Sequence, residues 1–218
     1  MITTERYIND DYTTMCTSSV TELKMKCRAG DKLPTDSAIE QVISVAEPKY
    51  KNLLRIAVLS GFRVSEITEL SIRQGLGNWI DFDTGKIIIS KQKNKRQNEP
   101  FILFPELREA LCHHIAMFYH EIMASGGWLF FSKYRGSYKQ LTRSTVLSMI
   151  QKYRLRAGLM DIYGHQKNGR RKFRFSMHST RHYAINQWGK LCVEKKGIYD
   201  TNTISCLSRH KNLSLIHI

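Results

Sequence analysis

Cysteine is scarce in this sequence, and its spacing excludes several classes of protein. The 218 residues contain five cysteines, which are widely spaced and include no C-x-x-C pair. This usage is typical of free thiols in a reducing compartment rather than of a disulfide framework. The alternative is a zinc site built from Cys112, His113, His114 and His120. Because these residues lie in a helical pattern without a second ligand cluster, we expect no metal site.

Long apolar runs are also absent. The longest span three or four residues, such as Ile87–Ile89, whereas a membrane-spanning helix needs about 20. The first residues, Met1 to Glu5, contain no apolar stretch of the signal-peptide type. The composition includes only four prolines and 42% hydrophobic residues, which excludes a proline-rich linker array and bulk disorder. We therefore expect a folded cytoplasmic protein with no membrane partner.

Acidic residues are few relative to basic ones. The chain has 19 Asp and Glu against 34 Lys and Arg, a net charge of +15. The surplus is densest between Lys152 and His182, where nine basic residues accompany one acid, Asp161. Such a surplus on a folded domain indicates a polyanionic partner, and phosphate-backbone binding is its natural use. A solvated basic face without a ligand is the alternative.

The apolar pattern predicts helices, then strands, then helices. Ser37–Glu40 fits a capping box, and helical spacing continues on both sides of Gly61. Three short apolar runs follow at residues 79–82, 86–90 and 100–104. Further helices are expected to begin at Pro105, Ser144, His178 and near Asn202. This order predicts an α+β domain, mostly helical, with a small three-stranded antiparallel sheet.

Composition divides the chain into three segments. Residues 1–32 are polar and weakly periodic, and we interpret them as an extension or the remnant of an upstream domain. Residues 33–212 carry the predicted elements. The last six residues, 213–218, match one reading frame of a common sequencing adapter, so we interpret them as read-through from a truncated gene. The start of a genuine amphipathic helix is the alternative.

Four polar motifs carry the chemistry that the charge suggests. They are Gly61–Glu66 at a helix junction, Lys91–Lys95 at a hairpin tip, His178–His182 at a helix start, and Leu207–Asn212. His178 and Arg181 are three residues apart and so share one helical face. Arginine forks around a phosphate would bind its oxygens and stabilise the charge of the transition state. A lysine or histidine would then protonate the leaving 5′ oxygen without a metal.

In their order, these motifs resemble the active-site boxes of tyrosine recombinases, the family of phage integrases and Xer-type resolvases. The first box, G-x-R-x-S-E, corresponds to Gly61–Glu66. The family's hairpin lysine is matched best by Lys93, with Lys91 and Lys95 as rivals. The second box, H-x-L-R-H, corresponds to His178–His182, with Thr180 in the leucine position.

The resemblance implies a set of site residues. The phosphate pocket would consist of Arg63, Lys93, His178, Arg181 and His210. Glu66 and His182 would support it. Contacts to the DNA backbone are expected from the neighbouring basic clusters, namely Lys91, Lys95, Arg96, Arg170, Arg171, Lys172 and Arg174.

The resemblance also implies a function. We expect a site-specific DNA recombinase (integrase) catalytic domain that cuts and rejoins DNA through a 3′-phosphotyrosyl intermediate. No cofactor is expected, because the phosphotyrosine conserves the bond energy. The partners would be double-stranded DNA and, in the intact protein, three further copies in a homotetramer. The location would be cytoplasmic or nucleoid-associated.

Two departures from the family pattern concern the end of the chain. Ser208-Arg209-His210 stands where the family has Leu-Gly-His. The family's nucleophilic Tyr would fall just beyond Ile218, and Tyr183 and Tyr199 occupy other positions. We therefore expect a fragment that does not cleave DNA alone. The segment 1–32 is also too short for the family's helical DNA-clamping (core-binding) domain.

Three other functions stay open at this point. The chain could be a non-catalytic DNA-binding protein that has kept the basic cleft. It could be an enzyme like the type IB topoisomerases, which share the pocket chemistry. A metal-dependent nuclease is disfavoured because no Asp/Glu cluster accompanies the motifs.

Overall fold

A computed structural model describes residues 33–91, 97–165, 168–169 and 171–208. Its helices are α1 (Asp36–Val45), α2 (Pro48–Ser60), α3 (Val64–Thr68), α4 (Pro105–Ala124), α5 (Arg143–Arg156), α6 (Met177–Lys196) and α7 (Thr201–Ser208). Its strands are β1 (Leu70–Ser71), β2 (Asn78–Asp81), β3 (Lys86–Lys91), β4 (Gln97–Ile102), β5 (Phe131–Tyr134), β6 (Ser137–Gln140), β7 (Ile162–His165) and β8 (Arg171–Phe173). The predicted α+β class is confirmed.

Polar side chains and glycine set the helix ends. Thr35 caps α1 by accepting a hydrogen bond from the Ala38 N–H at 3.1 Å, so this helix begins slightly before the predicted Ser37. Thr142 rather than Ser144 caps α5 in the same way. Gly61 ends α2 with a left-handed φ of 56°, a conformation that glycine adopts without steric cost.

The predicted antiparallel meander is present, and it has one strand more than the sequence indicated. Trp79 of β2 pairs with Ile88 of β3, and Ile87 of β3 pairs with Phe101 of β4. The additional strand, β1, pairs in parallel with β2, so the sheet is mixed and four-stranded. Two residues are too few to show alternation, which is why the sequence did not predict β1.

Two further hairpins, β5–β6 and β7–β8, were also missed. Both are built largely from polar and basic residues, such as Lys139 and Arg171. The alternating apolar pattern that identifies a half-buried strand is therefore lacking. The β7–β8 hairpin carries part of the densest basic segment and leads directly into α6.

The main core surrounds α2. Leu53, Leu54, Ile56 and Ala57 are fully buried, and full burial of a leucine side chain contributes roughly 1.5–3 kcal/mol. α2 packs against both α4 and α6. The core thereby joins the end of α2, next to the first motif, to α6, which carries the third motif, His178–His182.

His114 belongs to this core. Its Nε2 lies 2.9 Å from the Leu129 carbonyl oxygen, and its Nδ1 lies 3.3 Å from Asn52 Nδ2. Both ring nitrogens are thus engaged by protein groups. Among the described residues, no group of three or more His, Cys, Asp or Glu side chains could hold a metal ion. No described helix is long and apolar enough to cross a membrane.

Candidate active site

Arg63 stands at the junction between α2 and α3, held there by its neighbours. Phe62 is fully buried and anchors the loop. A Cβ on Gly61 would lie 3.0 Å from the Trp188 ring and 3.3 Å from Ala184, so α6 passes directly against this turn. Only a glycine satisfies both the close approach and the left-handed φ. The junction therefore brings Arg63 close to α6.

Glu66 orients Arg63 through two hydrogen bonds. Its Oε1 accepts a hydrogen bond from Arg63 Nη1 at 2.6 Å, and its Oε2 accepts one from the Arg63 backbone N–H at 2.8 Å. The Glu66 side chain is 5% exposed, whereas the Arg63 side chain is 28% exposed. Because the carboxylate is buried, its charge-assisted bonds are less screened than surface ion pairs. Arg63 is thus fixed on one side and open to solvent on another.

Arg181, in the third motif, connects this motif to the first motif and to the end of α7. It lies in the first turns of α6 and is 3% exposed. Its Nη1 donates to the Gly61 carbonyl oxygen, and its Nη2 donates to the Ser208 carbonyl oxygen. Gly61 lies two residues before Arg63, and Ser208 lies two residues before His210. One guanidinium group therefore joins three of the four motifs.

His178 is exposed beside these two arginines. Its pKa is lowered, first by desolvation and then by the positive charges of Arg181 and Arg63. Its Nε2 lies 2.9 Å from Nε2 of His182. A hydrogen bond between two imidazole nitrogens contains one proton, so one of the two rings accepts through a neutral nitrogen. The two arginines favour the neutral form of His178.

The start of α6 adds a favourable environment for an anion. Ser176 caps the helix, since its side chain accepts from the Ser179 N–H at 3.1 Å. The helix therefore begins at Met177, one residue before the predicted start. The N-terminal end of a helix carries partial positive charge and favours a bound oxyanion. His178 and Arg181 both project from this end.

Several predicted site residues cannot be placed against this cluster. Lys93, Lys95, Arg96, Arg170 and His210 lie outside the described residues. Lys91 ends β3, and only its backbone is described. Arg171 and Lys172 lie on β8, and Arg174 follows that strand. Arg171 is exposed, whereas Lys172 and Arg174 are half-buried.

Asn78 is a site-supporting residue that the sequence analysis missed. It is fully buried, and its Nδ2 donates to the Glu66 carbonyl oxygen at 2.9 Å. Its Oδ1 accepts from the Ser90 N–H at 2.9 Å. Asn78 thus connects α3, which contains Glu66, to β3, which contains Ser90. The only local signal was a Gly-Asn pair before an apolar run, which is equally typical of an ordinary turn.

Tyr183 and Tyr199 both pack against other parts of the fold. The Tyr183 hydroxyl donates to Asp36 Oδ1 at 2.8 Å. Burial and the contact with Asp36 raise the pKa of Tyr183 to about 12, which disfavours the phenolate. The Tyr199 ring packs directly on Gly189, where a Cβ would lie 2.4 Å from a ring carbon.

Comparisons with known proteins point to one family and one fold. The model of the phage integrase family matches residues 35–216. No curated protein matches the sequence significantly. Among solved structures, XerA recombinase has a TM-score of 0.59 at 18% identity over 85% of this chain and 59% of its own. The Tn1549 transposon integrase in complex with a circular intermediate DNA has a TM-score of 0.60 at 15% identity, over 86% of this chain and 60% of its own.

A lambda integrase tetramer bound to a Holliday junction is also similar. Its TM-score is 0.54 at 15% identity, and the match covers 86% of this chain and 48% of that chain. The chain therefore spans about three fifths or less of the length of these structures. At such identities the likeness establishes the fold, that of tyrosine recombinase catalytic domains.

Proposed function

The chain belongs to the phage integrase family, and from this premise we propose that it is the catalytic domain of a site-specific DNA recombinase. One observation carries the proposal. Arg181 donates a hydrogen bond to the carbonyl oxygen of Gly61, two residues before Arg63, and the charges of both arginines act on His178, which supports a common pocket. Two guanidinium groups and an imidazole at a helix start suit a phosphodiester, whose oxygens they would bind.

In the proposed reaction, a Tyr hydroxyl attacks a DNA phosphorus atom. A P–O bond to the Tyr oxygen forms, and the bond to the 5′ oxygen breaks. The leaving 5′ oxygen takes a proton from Lys93, while the Tyr proton passes to a nearby base. Arg63 and Arg181 stabilise the negative charge that develops on the phosphoryl oxygens. His178 and His210 complete the pocket.

The second half of the reaction reverses the first. The 5′ hydroxyl of a partner strand attacks the phosphotyrosine, and the Tyr leaves. Bonds are exchanged one for one, so neither ATP nor a metal is needed in this scheme. The proposed partners are double-stranded DNA and further copies of the protein, in the compartment that holds the DNA. The Tyr would be supplied after His210, as the resemblance implies.

DNA binding and covalent attachment test the proposal separately. Fluorescence anisotropy with a labelled duplex should show binding that weakens steeply with salt. A version of the chain extended through the Tyr-bearing helix should form a covalent adduct with a pool of nicked duplexes of randomised centre, resolved on a denaturing gel. Arg63→Met in that version should abolish the adduct while duplex binding remains.

Each outcome discriminates between functions. Binding without any adduct from the extended chain would indicate a non-catalytic DNA-binding protein. Relaxation of supercoiled plasmid without sequence preference would indicate a topoisomerase-like enzyme. An adduct that survives Arg63→Met would show that the pocket is assigned wrongly.

A further inference from the structure

Arg154 is a buried cation that nothing in the proposed active site uses. It lies in the last turn of α5 and is 8% exposed. Its guanidinium carbon lies 3.4 Å from the centroid of the Phe173 ring, so the two planar groups are in close contact. Its Nε is sealed from solvent and has no hydrogen-bond acceptor among the described residues.

The charge of Arg154 is not compensated by an acid in the described part of the chain. Desolvation lowers the pKa of Arg154, and no carboxylate counteracts that shift. Asp161 is the single acid between Lys152 and His182. Its backbone carbonyl accepts the Arg174 N–H, whereas no ion pair joins its carboxylate to Arg154. The C-terminal dipole of α5 favours a cation, although by only a small part of the desolvation cost.

The surroundings of Arg154 are basic and belong to the β7–β8 hairpin. Arg171 lies two residues before Phe173 on β8, and residues at this spacing share one face of a strand. Its cross-strand partner on β7 is His165, and both residues are exposed. Arg174, just after β8, also has a buried Nε without an acceptor. An anion approaching this face would meet the exposed side chains of Arg171 and His165.

A buried guanidinium without a counterion destabilises a fold unless a ligand neutralises it. The Phe173 ring holds the guanidinium group of Arg154 in one orientation, which reduces the entropy lost when an anion binds. A duplex offers a row of phosphodiester oxygens, and these accept bidentate hydrogen bonds from arginine. The basic β7–β8 hairpin directly precedes α6, which carries His178 and Arg181. A duplex bound at the start of α6 would therefore present further phosphates to the hairpin.

We propose that Arg154, stacked on Phe173 and flanked by Arg171, forms a binding site for a backbone phosphate of duplex DNA outside the active site. The inference rests on the proposed function, since it takes the DNA as given. It assigns to Arg154 a role in binding and none in the chemical step. The site would fix the register of the duplex relative to His178 and Arg181.

The test uses the 218-residue chain, a labelled duplex and anisotropy at several salt concentrations. Arg154→Met removes the charge and retains an unbranched side chain over Phe173. Loss of one phosphate contact should reduce the slope of log binding constant against log salt by about 0.9, which corresponds to roughly eightfold weaker binding at 0.1 M salt. The melting temperature of the variant should be equal to or higher than that of the wild type, because the uncompensated charge is gone.

Arg108→Met is the matched control. Arg108 also lies over a phenylalanine, with its guanidinium carbon 5.8 Å from the Phe82 centroid, and it is exposed on α4. The substitution removes the same charge outside the basic segment, so it should change the slope much less. Arg154→Lys keeps the charge without the planar fork. It should retain the slope and bind with intermediate affinity.

The outcomes separate this inference from the proposed function. If the wild-type chain does not bind DNA, the proposed function fails first. If the wild type binds and Arg154→Met matches Arg108→Met in slope and affinity, the phosphate site is overturned. A melting temperature several degrees lower in Arg154→Met would show that another part of the chain already neutralises Arg154, which also overturns the site.

Discussion

At the scale of single residues, the hydrogen bonds of His114 determine its protonation. The Leu129 carbonyl can only accept, so Nε2 bears the hydrogen. Nδ1 then accepts from the Asn52 amide. A second proton on Nδ1 would face an N–H group and have no acceptor. Burial is the main cause that lowers the pKa of His114 to about 4.

This pKa predicts a pH-dependent stability. The unfolded chain binds the proton below a pKa of about 6.5, whereas the folded chain binds it only near 4. The stability is therefore complete above about pH 6.5 and falls as the pH drops towards 4, by roughly 3 kcal/mol in all. Urea unfolding between pH 4.5 and 7.5 measures it. His114→Gln should flatten the dependence, and His120→Gln, exposed on the same helix, should not.

A second single-residue prediction concerns Asn78. Asn78→Ala leaves the Glu66 carbonyl and the Ser90 N–H without their buried partner. Each unsatisfied group costs about 1–3 kcal/mol, so we expect a loss of about 2–6 kcal/mol in unfolding free energy. Ser90→Ala removes only the 3.3 Å bond to Asn78 Oδ1 and should cost less than about 1 kcal/mol. Equal losses in chemical denaturation would contradict the bridging position of Asn78.

At the scale of elements, the packing of α2 against α6 determines where the pocket lies. Gly61 ends α2, approaches Trp188 of α6, and accepts a hydrogen bond from Arg181. The same turn therefore orients Arg63 and anchors Arg181. Because α3 starts three residues later, with Arg63 at its N-cap, any displacement of α6 is transmitted to both arginines.

Gly61→Ala tests this junction. The substitution combines a left-handed φ with a Cβ placed 3.0 Å from the Trp188 ring. We expect a loss of about 2–5 kcal/mol, since overpacking alone typically costs about 1–3 and the left-handed backbone adds roughly 1–2. Gly158→Ala is the control, because Gly158 has a similar φ of 68° after α5 and open space around its Cβ position. Thermal unfolding should show the smaller loss for Gly158→Ala.

At the scale of the whole molecule, the charge is distributed unevenly. Basic residues concentrate on the β7–β8 hairpin and the start of α6, whereas four carboxylates line a largely apolar groove between α1, α2, α4, α6 and α7. These are Asp36, Glu40, Glu106 and Glu109. Two basic residues, Arg55 and Lys195, also line the groove, but its acids outnumber them, so a polyanion is attracted to the hairpin rather than to the groove. The proposed DNA-binding face therefore excludes the groove.

Two substitutions that each remove one charge test this asymmetry. Lys172→Gln on β8 should lower the slope of log binding constant against log salt by up to about 0.9. Glu106→Gln in the groove should leave the slope unchanged and should not weaken binding. Anisotropy titrations at four salt concentrations measure both. A weaker complex with Glu106→Gln would show that the duplex contacts the groove, which contradicts the proposed DNA-binding face.

The sequence by itself determined the charge surplus, the α+β class, the meander and the motif order. These depend on composition and short spacings, such as the three residues from His178 to Arg181, which the local chain conformation preserves. Only the tertiary structure decided that Arg181 binds the Gly61 and Ser208 carbonyls, that β1 joins the sheet, and that Arg154 is buried on Phe173. Each of these contacts depends on packing between elements, and no local pattern encodes which backbone oxygen or ring a distant side chain will meet.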